Sequence, residues 1–309
     1  MSFDADPVPR GALAATSKGR STARRAGQAS SLRAHRAVPA SVRQVPAALL
    51  AVLLVLYVAV PFVWMVVTSL KPAGEVLSPR PQWIPHPVAW INYVVAWRSA
   101  PFGRYFLNSF FISACETVFD LTLGAMAAYA LARMEFYGKR LVFLVLLATW
   151  MVPGEVMLIP NYLTISRLHW VNTYAGLMVP WLVSVFTILL MTQYFRALPR
   201  ELFEAAETDG CSPVRTLFQV VLPASKPVWV TAGLIKFIGT WNAFLWVVVV
   251  ANQSSLFTLP VGLFNFSGDA GTQYHLLMAA ATFSMAPLLV LFVFGQRYIV
   301  EGIARTGLK

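Results

Sequence analysis

The chain has 309 residues, of which 58% are hydrophobic and only 12% charged, whereas soluble domains carry about 25% charged residues. So few charges cannot solvate a surface of this size, which excludes a water-soluble globular domain and makes lipid the solvent for much of the chain. The formal net charge of +11 is laid out as short basic clusters beside apolar runs, the layout of cytoplasmic flanks of membrane spans, so nucleic acid is not expected as a partner. Cys115 lies in an apolar run and Cys211 in a polar loop; they give neither a disulfide framework nor metal-ligand spacing.

In chain order, residues 1–45 are rich in Ala, Ser and Arg without an apolar period, and read as a disordered basic cytoplasmic tail. The basic region and the apolar run after it are too long for a cleaved signal peptide. Six stretches then suffice to cross a bilayer at about 20 residues each: Pro46–Leu70, Phe106–Ala132, Leu141–Pro160, Tyr174–Phe195, Pro227–Val250 and His275–Val300. The expected fold is an all-α membrane protein with six transmembrane helices over residues 46–309. Residues 71–105, studded with Pro and Trp, suit an external interfacial loop whose rings sit at headgroup level. Lys and Arg orient the bundle. Eighteen of the 24 fall on the side of the tail, the loops after the second and fourth spans, and the C-terminus, against five on the other side. The positive-inside rule then places both termini in the cytoplasm.

The loop after the fourth span interrupts this oily chain with four carboxylates in nine residues, Glu201, Glu204, Glu207 and Asp209. Pro199 suits the first turn of a helix, Glu201 and Glu204 favour its positive end, and Gly210 supplies a left-handed stop. Ser212-Pro213 reads as a second N-cap and first turn. In the helix that follows, Val214, Leu217, Phe218 and Val221 fall at i, i+3, i+4 and i+7, one apolar stripe ended by Leu222-Pro223. Two short helices joined by a glycine elbow are expected over residues 199–226. Ala205 and Ala206 leave one face small enough for close approach. Without further information the pattern also fits an amphipathic hairpin lying on the membrane with no partner.

The spacing Glu204-Ala205-Ala206, Gly210, Val220 and Leu222-Pro223 resembles the "EAA" motif of ABC importer permeases, with Val220 where isoleucine is commoner and Asp209 also fitting. Asn108-Ser109, Ala127 to Arg133, Met151-Val-Pro153, Ile159-Pro160, Trp241-Asn242, Thr258 to Gly262 and Gln296-Arg297-Tyr298 resemble the carbohydrate-importer branch, in particular the second permease of a maltose-type pair. The resemblance covers roughly residues 45–309. It implies a type I importer permease (MetI-like) fold in a bacterial or archaeal cytoplasmic membrane. Implied partners are a second permease, two copies of a cytoplasmic ATPase, an extracytoplasmic substrate-binding protein and membrane lipid. ATP and Mg would bind the ATPase. This chain carries no Gly-x-x-x-x-Gly-Lys-Ser/Thr loop, and no cofactor, metal or catalytic residue is expected in it. In this family the hairpin sits in a cleft of the ATPase. Glu204 would pair with a basic group there, Gly210 would hold the elbow, and Phe218 would pack the second helix back onto the membrane domain.

Intramembrane ionisable groups are expensive, about 2.5–3.5 kcal/mol each on insertion scales, and are functional candidates for that reason. Glu116 and Asp120 lie mid-span four apart, on one helix face, and Lys236 lies mid-way along the fifth span. Two readings stand: all three line a central cavity with Lys236 offsetting a carboxylate, or they make structural contacts between helices, with Lys236 snorkelling to an interface. By the resemblance, Asn108, Trp241 and Asn242 join the substrate path, although Ala243 stands where the family often has an acid. The external stretch 251–274 would probe the binding protein. The implied cargo is a di- or oligosaccharide, with glycerol-phosphate or another polyol as the alternative. Scattered histidines (His35, His86, His169, His275) argue against a membrane-embedded metalloenzyme. A proton-coupled secondary transporter would use the mid-span carboxylates but leaves the hairpin unexplained.

Overall fold

A computed structural model describes residues 40–80, 82–268 and 271–306. Fourteen helices are described: α1 Ala40–Ser69, α2 Ile91–Arg98, α3 Phe102–Arg133, α4 Lys139–Trp150, α5 Leu158–Arg167, α6 Tyr174–Met178, α7 Val185–Ala197, α8 Glu201–Thr208, α9 Pro213–Thr216, α10 Leu222–Ala224, α11 Lys226–Trp241, α12 Leu245–Val250, α13 Leu259–Leu263 and α14 Tyr274–Thr306. The strands are a two-residue antiparallel pair, β1 Ser267–Gly268 and β2 Gly271–Thr272. Residues up to Val60 form one contact unit and those from Pro61 onward another. The expected tail at 1–45 falls mostly outside the described residues, and α1 already begins at Ala40, inside it.

Among the described residues three helices are long and apolar enough to cross a membrane unbroken: Ala48–Ser69 within α1, all of α3, and Tyr274–Tyr298 within α14. They match the first, second and sixth expected spans. The other three are broken. Leu141–Pro160 was expected as one span, but α4 stops at Trp150 after 12 residues, about 18 Å of helix. Beyond Met151-Val-Pro153 the chain turns by 94° into the helical segment Gly154–Arg167. Proline supplies no N–H and disfavours helical backbone in the residue before it, so Pro153 favours a stop here. The fourth span breaks between Trp181 and Val185 with a 40° bend, after Pro180 sets a single 3-10 turn, Val179–Trp181. The fifth divides at Asn242–Phe244 into α11 and α12.

The centre of the Pro61-onward unit is α3. Its buried residues recur at three- and four-residue steps over its whole length: Tyr105, Ser109, Ile112, Glu116, Asp120, Gly124, Ala128, Leu131. That single inward stripe packs against α7 and α11, and α11 packs in turn on α14. Water drives no helix association within lipid, so close packing at small residues carries more of the task. A Cβ on Gly124 would meet Thr187 Cγ2 at 3.1 Å, and one on Gly233 would meet Leu121 Cδ1 at 3.0 Å. On the loop side, Asn108 donates to the Ser255 and Phe257 carbonyls, both at 2.9 Å, and the Tyr174 hydroxyl donates to its Oδ1 at 2.7 Å. This ties α3, α6 and the stretch before α13 together.

Gly176 in α6 is the glycine held tightest against backbone among the described residues. A Cβ there would lie 2.3 Å from the Trp170 carbonyl oxygen, a backbone atom with no rotamer to yield. Gly176→Ala is expected to destabilise the fold by about 1–3 kcal/mol, read as a lower melting temperature of the detergent-solubilised protein by tryptophan fluorescence.

Candidate functional site

Two sites emerge, a hairpin at one end of the bundle and a cavity within it. In the hairpin, α8 ends as the sequence implied. Gly210 adopts φ +71°, its N–H donates to the Glu207 carbonyl, and the Cys211 N–H donates to the Ala206 carbonyl at 2.9 Å. These are the paired bonds of a left-handed helix stop, which glycine adopts without steric cost. Ser212 then caps α9, its hydroxyl accepting the Arg215 N–H at 3.4 Å with Pro213 in the first turn. From Leu217 to Val221 the ladder widens to a π-helical turn, the sort of bulge that concentrates at functional positions.

The hairpin has two unlike faces. Phe203, Leu217 and Val221 are buried against Ala125, Ala128, Met191 and Phe195 of α3 and α7, and Ala206 is buried as well. Glu201, Glu204, Ala205, Glu207 and Asp209 are exposed, with Leu202, Val214 and Phe218 among them. Phe218 was expected to pack the second helix back on the bundle. It is instead 43% exposed and Val214 59% exposed. The widened turn brings Leu217 and Val221 inward and leaves Phe218 outside, so the expected four-residue stripe is divided between the faces. Leu222 is half-buried and Pro223 exposed. At Ser225, fully buried with its hydroxyl on the Val221 carbonyl at 2.6 Å, the chain turns 88° into α11.

Arg133 fastens this hairpin to the bundle through contacts that no local pattern signals. From the last turn of α3 it donates to the Phe195 and Leu198 carbonyls at the end of α7, both at 2.8 Å. Its guanidinium lies 3.7 Å from the centroid of the Phe203 ring in α8, which Tyr129 flanks. Arg196 reciprocates from α7 to the Leu131 carbonyl at 3.3 Å. Each helix end thus supplies a cation to the other's orphan carbonyls.

The cavity encloses about 660 Å³. All three helix breaks line it: Trp150 and Gly154 from the first, Trp181 and Ser184 from the second, Ala243 and Phe244 from the third. At membrane depth, non-helical backbone is tolerated only when buried in protein or facing a cavity; here it does the latter. Glu116 and Lys236 also line the space. Lys236 Nζ lies 2.8 Å from Glu116 Oε2, with side chains 13% and 4% exposed. Lys236 donates as well to the Trp181 carbonyl at 2.6 Å, and Thr240 donates to Glu116 at 2.8 Å.

Glu116 and Lys236 thus line the cavity and also bridge α3 and α11. Asp120 is fully buried and does not line the cavity; it accepts the Ser184 N–H and the Thr187 hydroxyl, the latter at 2.6 Å. Lys236 does not snorkel to an interface. Three other residues expected on the substrate path lie elsewhere. Asn108 has its amide committed to the loop bonds above and does not line the cavity. Trp241 is 2% exposed, stacked on Phe237 with its indole N–H directed at the Ser284 carbonyl. Asn242 is exposed at the third break and donates to the Ile238 carbonyl. Both cysteines are free thiols, and among the described residues no group of three or more His, Cys, Asp or Glu could hold a metal ion.

A helical bundle whose broken spans enclose a charged cavity, with a two-faced hairpin at one end, has the architecture of a membrane transport subunit. Residues 120–305 match the family described as binding-protein-dependent transport system inner membrane component, and the chain belongs to that family. Among its relatives, the diacetylchitobiose uptake system permease protein DasC of Streptomyces coelicolor is 32% identical over 84% of this chain and 95% of its own. The arabinooligosaccharides transport system permease protein AraQ of Bacillus subtilis is 32% identical over 67% of this chain and 73% of its own. The sn-glycerol-3-phosphate transport system permease protein UgpE of Pectobacterium atrosepticum is 37% identical over 66% of this chain and 74% of its own. The fold is that of a membrane chain from a bacterial ABC transporter involved in the import of the acidic polysaccharide alginate. The superposition has a TM-score of 0.74 at 21% identity and covers 84% of this chain and 97% of that one.

Arg133→Ala removes two charge-assisted carbonyl bonds and the ring contact. It is expected to destabilise the joint by about 1.5–3 kcal/mol, read as faster trypsin cleavage at Arg200 or Arg215. Arg133→Lys is expected to restore little, because a point ammonium cannot span two carbonyls and stack on a ring.

Proposed function

We propose that this chain is one of two permease subunits forming the translocation path of an ATP-driven carbohydrate importer in a bacterial cytoplasmic membrane, carrying a di- or oligosaccharide. In this reading the chain crosses the bilayer six times with both termini in the cytoplasm, three spans being broken. Two copies of a cytoplasmic ATPase bind ATP and Mg, a binding protein delivers the sugar from outside, and this chain performs no catalysis. The observation that carries the reading is the division of the hairpin into two faces. Its inner face is packed and bonded to α3 and α7, so a push on the hairpin reaches the bundle. Its outer face presents Glu201, Glu204, Ala205, Glu207 and Phe218, acids around an apolar patch, as a docking surface for a partner with basic rim groups. Ala205 leaves room for close approach, and Gly210 keeps the elbow at a fixed angle.

The cavity supports a sugar as cargo. Trp150, Trp181, Phe186 and Phe244 offer apolar faces, while Thr149, Thr240 and Thr258 offer hydroxyls, the mixture that a polyol's CH faces and hydroxyls need. A phosphate ester is less well served, since the cavity's Lys236 is already paired with Glu116. The family relatives named for arabinooligosaccharides and diacetylchitobiose support the same cargo class.

Uptake of labelled oligosaccharide into vesicles, dependent on ATP and the binding protein, is the test. Uptake is expected to be blocked by vanadate and to persist after the proton gradient is collapsed; the opposite result would indicate a secondary transporter. Gly210→Arg is expected to abolish uptake while membrane insertion is retained. A Cβ at Gly210 meets nothing within 4 Å, so the defect would come from left-handed backbone strain and from bulk against the partner. Gly210→Asn, which tolerates that backbone region, is expected to keep most of the uptake.

A further inference from the structure

We propose that Lys236 is a latch that clips the broken fourth span to α11, so that movement of the hairpin changes the bend at that break and with it the wall of the cavity. The inference deepens the coupling role proposed above and rests on it.

The break between Trp181 and Val185 leaves orphan backbone groups on both sides, and each side is held by a different charged residue. On the upstream side the Trp181 carbonyl closes the 3-10 turn and has no ladder partner beyond it. Lys236 Nζ donates to it at 2.6 Å, placing a cation at the negative end of a helical segment. On the downstream side the Ser184 N–H stands at the start of α7. Asp120 accepts it, together with the Thr187 hydroxyl, placing an anion at the positive end.

These two residues lie on different helices. Asp120 belongs to α3, so the start of α7 is bound to α3. Lys236 belongs to α11, so the end of the upstream segment is bound to α11. Displacing α11 relative to α3 would therefore pull Trp181 and Ser184 apart and alter the 40° bend between them. The polar link between α11 and α3 at this level is Glu116, which accepts from both Lys236 and Thr240 at 2.8 Å. Broken, that contact leaves a carboxylate of 4% exposure without its cation, a costly intermediate, which makes the node two-state and not gradually deformable.

The hairpin reaches this node through continuous chain. The second hairpin helix turns at buried Ser225 directly into α11, and the Trp229 indole N–H returns to the Leu222 carbonyl at 3.0 Å across that corner. Ten residues separate Lys226 from Lys236 along an unbroken helix, about 15 Å. Trp181, Val183, Ser184, Val185 and Phe186 of the break all line the cavity. A change of bend at this point therefore changes the cavity itself.

The test uses the assembled transporter with Cys115 and Cys211 replaced by alanine and a single reporter, Val183→Cys, on the cavity wall. Its labelling rate with a membrane-impermeant maleimide is measured with and without ATP plus vanadate. In this parent the rate is expected to differ between the two states; no difference while uptake remains ATP-driven would overturn the latch but not the importer reading. No difference together with absent ATP-driven uptake would overturn both. With the parent responding, the neutral pair Glu116→Gln with Lys236→Met is expected to lose the nucleotide-dependent difference, and Lys236→Arg to keep it. A neutral pair that still switches like the parent overturns the proposal. The reversed pair Glu116→Lys with Lys236→Glu, which preserves a buried ion pair, covers the case in which the neutral pair does not assemble. It sets a carboxylate against the Trp181 carbonyl and is expected to assemble without switching. Recovery of switching in the reversed pair would mean that only the α3–α11 ion pair matters, and would likewise overturn the latch.

Discussion

In a hydrocarbon solvent every backbone N–H and C=O must find a partner inside the protein, because no water supplies one. An unbroken helix without an internal proline meets this demand by itself, as α3 does. A broken one does not, and three apolar stretches among the described residues are broken. The consequences of that choice account for most of what is unusual here. The breaks converge on one cavity, they draw charged side chains into the membrane, and they create positions where the backbone can bend.

The mid-membrane charges follow from the same demand. Asp120 and Lys236 satisfy opposite ends of one break, and Glu116 neutralises the lysine while taking a hydroxyl from Thr240. A buried ion pair is weak evidence of stability, since desolvation offsets most of the Coulombic gain. Three charges that look in the sequence like candidates for ion or proton chemistry are, in the structure, end caps and their counter-ion.

The hairpin is fastened to the bundle by a close-packed, bonded joint. Arg133 provides it by joining the end of α3 to the end of α7 and by lying on the Phe203 ring. The hairpin's inner residues interlock with small side chains, Ala125 and Ala128 among them, so there is little slack between hairpin and bundle. The outer face keeps its acids and Phe218 free of the chain's own packing.

By itself the sequence determined the solvent, the positions of the uninterrupted helices and the local form of the hairpin. Each is a property of neighbouring residues: apolar run length, a glycine able to hold φ +71°, a serine before a proline. Pro153 and Pro180 were visible signs of the breaks, but hydropathy cannot distinguish a straight span from a bent one, because both are equally oily. Only the tertiary structure decided where the charges and amides point. Asn108, Trp241 and Asp120 turned out to serve packing and backbone satisfaction, and Phe218 was left outside by one widened turn. Partners such as Ser184 for Asp120, or Phe203 for Arg133, lie more than 60 residues away in the chain, and no local pattern encodes a contact that forms only when helices meet.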